Sequence, residues 1–297
     1  MIRRVAWLVV FALVPALLAA QNFDTVTIRS AQLRGGVYVL YGSGGNMGLS
    51  VGEDATFLVD DQFAPLTPKI VAAIGALTPR PVRFVINTHW HFDHTGGNEN
   101  MGKAGVLIVA HDNVRRRMST DQFIEFFKRA EPAAPRGALP IVTFDDSITF
   151  HLNGDDIVAV HVPPAHTDGD VIVHFTKANV IHMGDTFITD RYPFVDLSSG
   201  GNVNGFVSAA DRALTVCNND TKVIPGHGTV SDCQGLRAWR EMIVTIRERV
   251  RTAMRDGKSL EAIKAAKPTA EYDATHKVGS VNADQLVEFI YRSLGGK

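Results

Sequence analysis

Apolar and polar positions alternate in short runs along the first part of the chain. Residues 26–28, Val37–Tyr41, 47–51 and Thr56–Val59 read as β-strands separated by turns. A helical spacing over 68–77 leads into a buried strand at Val82–Asn87, and a further strand is expected at 106–110. The spacing predicts an amphipathic helix over 113–130, with Phe123, Ile124, Phe126 and Phe127 on its apolar side. Residues 131–140 contain three prolines and read as a loop or flap. A second strand-rich stretch follows at Ser147–Leu152, 157–162, Val171–Phe175, 180–183 and Lys222–Ile224. Helices fit 203–216, 236–255, 260–264 and 283–294. Strands followed by helices, twice over, predict two packed sheets with helices outside, in one domain spanning 21–297.

The N-terminus has a different pattern. Arg3 and Arg4 precede an apolar run from Val5 to Ala20 that ends in small residues, the layout of a secretory signal peptide cleaved near Ala20. An uncleaved anchor is the alternative, although the run is short and Pro15 interrupts it. Export to the periplasm or the medium is the expectation, with no stable membrane insertion after cleavage.

Composition narrows the partners. The 297 residues carry a net charge of −1, and cleavage would take it to −3, which argues against a nucleic-acid partner held by a basic surface. Two cysteines exclude a four-cysteine zinc site and a disulfide scaffold. Cys217 and Cys233 either close one loop in an oxidising compartment or remain buried thiols. The glycines at 42, 44, 45 and 48 do not spell a dinucleotide-binding loop and read as hairpin turns.

Eleven histidines stand out, and five fall in places that carry chemistry. Thr88-His-Trp-His-Phe-Asp-His puts His89, His91, Asp93 and His94 directly after a buried strand. On an extended segment alternate side chains share a face, so His89, His91 and Asp93 are expected to point together. Imidazole and carboxylate suit borderline divalent metals such as zinc. His166, Asp185 and His227 each follow a later strand on turns bordered by Gly or Pro. Together they are enough for two metals sharing one carboxylate.

The run His89-x-His91-x-Asp93-His94, followed in order by His166, Asp185 and His227, resembles the metallo-β-lactamase-fold hydrolases. The resemblance implies an α+β, four-layer αββα sandwich of two mixed sheets, with metals at the edge between them. It assigns His89, His91 and His166 to one zinc, and Asp93, His94 and His227 to a second, with Asp185 as the bridge. Iron and manganese are the alternative occupants. A metal-bridging hydroxide would then cleave an ester, thioester, lactone or β-lactam bond of a small-molecule substrate, with Asp93 and His227 as the catalytic pair.

Departures from individual classes matter. The best-known zinc β-lactamases have Cys at the position of Asp185 and Lys where this chain has Ile188. The class with the same histidine and aspartate set has no ligand at Asp185. That bridging aspartate is similar to glyoxalase-II-like thioesterases and lactonases, so β-lactam hydrolysis is either the task or a side activity. Flavodiiron relatives have Glu in place of His91, and tRNA-processing relatives act on a polyanion in the cytoplasm. A non-catalytic metal-binding protein on the same fold is the reading of another class.

Around this set, Phe63, Trp90, Arg191 and Tyr192 are candidate substrate contacts, with Phe92 as a further wall. Asp60 or Asp61 is placed to hold a ligand histidine or to cap a turn. His111 reads as a helix cap and His161 as a residue behind the ligands. The run 115–117 of arginines reads as a solvated helix face.

Overall fold

The computed structural model describes residues 22–276 and 279–296. The proposed signal peptide lies outside the described residues. Among them, no helix is long and apolar enough to cross a membrane.

The first half of the chain builds a seven-stranded sheet. Its strands are β1 (Arg29–Arg34), β2 (Val37–Tyr41), β3 (Met47–Ser50), β4 (Thr56–Val59), β5 (Val82–Asn87), β6 (Leu107–His111) and, after the small hairpin β7 (Gln122–Ile124) and β8 (Arg129–Glu131), β9 (Val142–Phe144). The first four strands meander antiparallel, whereas β4, β5, β6 and β9 run parallel. Parallel neighbours need crossovers, supplied by α1 (Thr67–Gly75) between β4 and β5. Two short helices, α2 (Phe92–Thr95) and α3 (Asn98–Lys103), lie between β5 and β6. The C-terminal ends of β4, β5 and β6 therefore share one edge.

The second half builds a six-stranded sheet from β10 (Ser147–Leu152), β11 (Asp155–His161), β12 (Val171–Phe175), β13 (Val180–His182), β14 (Lys222–Ile224) and β15 (Ser231–Asp232). Its pairs are antiparallel except β13 with β14. The remaining helices are α4 (Asp112–Met118), α5 (Val203–Leu214), α6 (Cys233–Arg255), α7 (Leu260–Ala265) and α8 (Ala283–Ser293).

Side-chain alternation stacks these parts into four layers. In β4, Phe57 and Val59 face the second sheet and meet Ile157, Val173 and Phe175. Leu58, between them, points the other way and packs with Ile70 and Ile74 of α1 and Met101 of α3. On the far side, Ile172, Ile181 and Val223 pack beneath Phe206, Ile243 and Ile290 of α5, α6 and α8. Strands covered on both faces explain the continuous apolar runs in the sequence. The architecture is an αββα sandwich.

Three local expectations change. The helix expected over 113–130 stops at Met118, and the phenylalanine-rich remainder forms the β7–β8 hairpin. There Phe123 is exposed and Ile124 buried, a period of two rather than 3.6. The first strand begins at Arg29 instead of Val26, and its mostly exposed polar side chains hid it. The extended run expected through Asp93 ends at His91, because Phe92–Thr95 turn into a helix. Cys217 and Cys233 are bonded, with Cα atoms 5.9 Å apart.

Candidate metal centre

The end of β5 is anchored before the ligands begin. Thr88 donates its backbone N–H to Asp60 Oδ1 at 2.7 Å and its hydroxyl to Asp60 Oδ2 at 2.8 Å. His89 and His91 follow, and His91 is the extended residue that caps α2. Asp93 and His94 sit on that single helical turn, which swings them to a position beside the two preceding histidines. His166 comes from the loop after β11, Asp185 from the turn after β13, and His227 from the turn after β14. All seven sequence-predicted residues converge at the edge between the sheets. Their possible ligand atoms fall into three groups, His89/His91/His166, His89/His94/Asp185 and Asp93/His94/His227, within each of which the atoms lie inside 4.8 Å of one another.

Each of four histidines has one nitrogen already engaged on the side away from the cluster. His94 Nδ1 donates to Asp60 Oδ2 at 2.7 Å, and His166 Nδ1 to the Phe194 carbonyl at 2.8 Å. His91 Nε2 donates to Asp196 Oδ2 at 2.9 Å, and His89 Nδ1 lies 3.1 Å from Thr88 Oγ1. The hydrogen-bond network thus sets the tautomers and turns the other nitrogen of each ring inward. His91 Nδ1 and His166 Nε2 stand 2.7 Å apart. His89 Nε2 is buried with no hydrogen-bond partner, and His94 Nε2 faces Asp185 Oδ1 at 3.1 Å. A buried polar atom left unpaired is expensive. A divalent cation would satisfy His89 Nε2 and suit the imidazoles and carboxylates converging around it, so the donor set fits a metal.

The charges agree. Burial pushes the His89 and His166 imidazoles down, His166 to about 4, and neighbouring histidines add to the effect. Burial opposes the charge on His227 too, but Asp185 and Asp93 outweigh it and raise the imidazole to about 9. His94 is likewise raised by Asp185, Asp93 and Asp60 against the effect of burial. Both cluster aspartates are held below the usual carboxylate range, because nearby His94 and His227 overcome desolvation. The carboxylates favour protons on His94 and His227, and a metal taking those nitrogens would displace them.

Two glycines make room for this packing. A Cβ on Gly45 would overlap the His94 ring, and one on Gly226 would overlap Asp185 Oδ1. Gly45 was read as part of a hairpin turn; its role is close approach.

A cavity of about 170 Å³ opens beside the cluster, lined among others by Phe92, Phe127, Ile188, Arg191, Tyr192 and Phe194. Arg191 lines it with Nε held by Asp190 at 2.8 Å, while the Tyr192 hydroxyl is committed to Asp273 at 2.6 Å. Phe63 and Trp90 lie elsewhere. Phe63 packs on Phe23 and Phe92, and Trp90 is buried with its indole N–H donating to Ser199. Asp60 holds His94 as the sequence allowed, whereas Asp61 accepts from the Gly97 N–H instead. His111 caps α4 by accepting from the Asn113 N–H. His161 stacks on His111 at 3.7 Å and bonds the Asp170 carbonyl, touching no cluster residue. Arg117 is engaged by both oxygens of Asp168, at 2.7 and 2.8 Å, rather than solvated. Asp196 was missed altogether, since it lies 105 positions from the histidine it orients and in no motif.

An αββα sandwich carrying histidines and aspartates at the edge between its sheets defines the class. The chain belongs to the metallo-beta-lactamase superfamily, whose family model matches residues 40–232. It is 23% identical over 270 residues to an atrochrysone carboxyl ACP thioesterase from Aspergillus fumigatus, covering 88% of this chain and 53% of that protein. It is 30% identical over 137 residues to a hydroxyacylglutathione hydrolase from Brucella anthropi, covering 43% of this chain and 45% of that one. The chain spans about half the length of the curated relatives it matches. A sec-alkylsulfatase from Pseudomonas sp. shares the fold with a TM-score of 0.67 at 15% identity, over 91% of this chain and 50% of that one. A metallo-beta-lactamase from Pontibacter korlensis gives 0.59 at 18% identity, over 73% and 99%.

Proposed function

We propose that this protein is an exported, dinuclear zinc hydrolase that cleaves an ester-type carbonyl bond, in the order thioester or ester, lactone, β-lactam. The observation that carries the reading is the placement of Asp185. Its Oδ1 lies 3.1 Å from His94 Nε2, and its Oδ2 lies 3.4 Å from His227 Nε2 and 3.6 Å from His166 Nε2. One carboxylate between two histidine sets is the arrangement for two cations sharing a ligand. His89, His91 and His166 would hold one, and Asp93, His94 and His227 the other.

Two such cations would supply a hydroxide at neutral pH and polarise the substrate carbonyl. The chain's own residues do the rest. Asp93 Oδ2, 3.3 Å from His227 Nε2 and at the cavity wall, is placed to accept a hydrogen bond from the attacking water and fix its direction. Asp60 and Asp196 hold the imidazoles of His94 and His91 in place. Phe92, Ile188 and Phe194 limit bulk water around the reacting carbonyl.

Thioester and ester substrates come first because the thioesterase and hydroxyacylglutathione hydrolase relatives carry those activities in their names. Export is supported by the charged and apolar N-terminal segment and by the Cys217–Cys233 bond, which suits an oxidising compartment. The test is metal analysis beside a hydrolysis panel of S-lactoylglutathione, an acyl-homoserine lactone, nitrocefin and a phosphodiester. We expect about two zinc equivalents, with turnover of the thioester or lactone that chelation abolishes. Turnover that survives chelation overturns the mechanism. Two bound metals with no turnover of any substrate would favour a binding protein on the same fold.

A further inference from the structure

The cavity beside the cluster is walled on one side by the β7–β8 hairpin, whose side chains take no part in holding a metal. The hairpin is fixed rather than loose. Its turn closes with the Lys128 N–H donating to the Glu125 carbonyl at 3.1 Å and Lys128 itself in the left-handed region at φ +49°. The Arg129 guanidinium lies 3.5 Å above the Phe92 ring, and Arg117 donates to Gln122 at 3.2 Å. Phe126 packs against both Phe194 and Phe289, each at 5.2 Å between ring centroids.

So anchored, the hairpin delivers Ile124 and Phe127 to the cavity wall. Ile124 is buried. Phe127 is 43% exposed although its ring stands 5.0 Å from that of Phe194. A rigidly held aromatic ring left half bare at the mouth of a cavity is surface that a ligand can cover. Phe92, Ile188, Phe194 and Val281 add apolar surface to the same cavity, whose polar lining outside the cluster is Arg191, Tyr192 and Ser280. Phe194 lies between the hairpin and the cluster, its ring 5.0 Å from Phe127 and 5.5 Å from His166.

We propose that the hairpin forms an acyl-chain subsite: the substrate carries an unbranched aliphatic acyl group, laid across Ile124 and Phe127 against Phe194. This rests on the reading that the cluster hydrolyses an ester-type bond and names the acyl side of its substrate.

The test measures binding of butyrate and octanoate to the zinc-loaded full chain by calorimetry, with turnover of the matching p-nitrophenyl esters in parallel. Both acids present the same carboxylate, so the cluster and Arg191 contribute equally and the difference reports the chain. Octanoate should bind about tenfold tighter than butyrate, given that its additional methylenes are only partly covered. Phe127→Ala should weaken octanoate about fivefold and butyrate less than about twofold. Phe123→Ala, 55% exposed on the same hairpin but outside the cavity, should change neither. Equal affinity for the two acids, or an equal loss on both with Phe127→Ala, overturns the subsite. So does concentration-dependent dimerisation that both alanine variants abolish, since it assigns the exposed rings to a second copy. Preferential octanoate binding without turnover of either ester or of any substrate in the hydrolysis panel supports the subsite and refutes the hydrolytic reading.

Discussion

Asp60 Oδ2 accepts from His94 Nδ1 at 2.7 Å, and Asp60 holds that position with its backbone in the left-handed region at φ +60°. Such a conformation is unfavourable for a non-glycine residue and persists only where several contacts fix it. Here they are the two bonds from Thr88 and the Asp60 N–H donating to the Ile86 carbonyl at 2.9 Å. Asp60→Asn keeps the size and tolerates the backbone but removes the charge that holds the His94 N–H. Metal affinity should fall about 10- to 100-fold, measured by competition with a fluorescent chelator. Unchanged affinity would show that the aspartate serves the backbone alone. Asp196→Asn should act in the same direction through His91.

Gly45 should tolerate no side chain. Gly45→Ala would drive a methyl group into the His94 ring, and the ring cannot yield without losing its bond to Asp60. The variant should keep wild-type circular dichroism yet bind about one metal equivalent fewer, read by elemental analysis after gel filtration. Full metal loading of Gly45→Ala would contradict the packing described.

Burial drives the Asp170 carboxyl up to about 7 from an ordinary 3.8, and the Thr167 hydroxyl and N–H bonds oppose this only in part. The folded chain therefore binds this proton more tightly than the unfolded one. The stabilisation is complete below the unfolded value and is lost as pH rises through about 7. Asp170→Asn mimics the protonated form, so it should gain stability relative to wild type between pH 5 and pH 8 in urea unfolding. A stability difference independent of pH would refute the shift.

The Cys217–Cys233 bond links the loop that follows α5 to the first residue of α6, and the loop it closes contains His227. Replacing both cysteines with alanine should cost about 3 kcal/mol in stability by loop-closure entropy. It should also weaken binding at the pocket that His227 completes more than at the pocket built from His89, His91 and His166. Equal weakening of both would mean that the covalent loop acts on stability alone.

How much of this could be read from the sequence depended on range. The histidines and aspartates were legible because residue type and spacing carry their chemistry, and each follows an apolar strand that stood out on its own. Buried strands such as β4 and β5 showed as apolar runs, and α6 and α8 as periodic ones. The β7–β8 hairpin did not, because Phe123, Ile124, Phe126 and Phe127 satisfy a helical stripe as well as an alternating strand. Only packing against Phe194 and Phe289 decides between them. Asp196 was silent because its meaning lies in a contact with His91, and Gly45 because sequence shows flexibility but not what lies opposite.

The cluster draws His89, His91, Asp93 and His94 from the half of the chain that builds one sheet, and His166, Asp185 and His227 from the half that builds the other. Every group of candidate ligands takes at least one residue from each half. A bound cation is therefore a rivet through a seam. Removing it takes away a reagent and a fastener together, and the edge where substrate enters is where the two halves would first part.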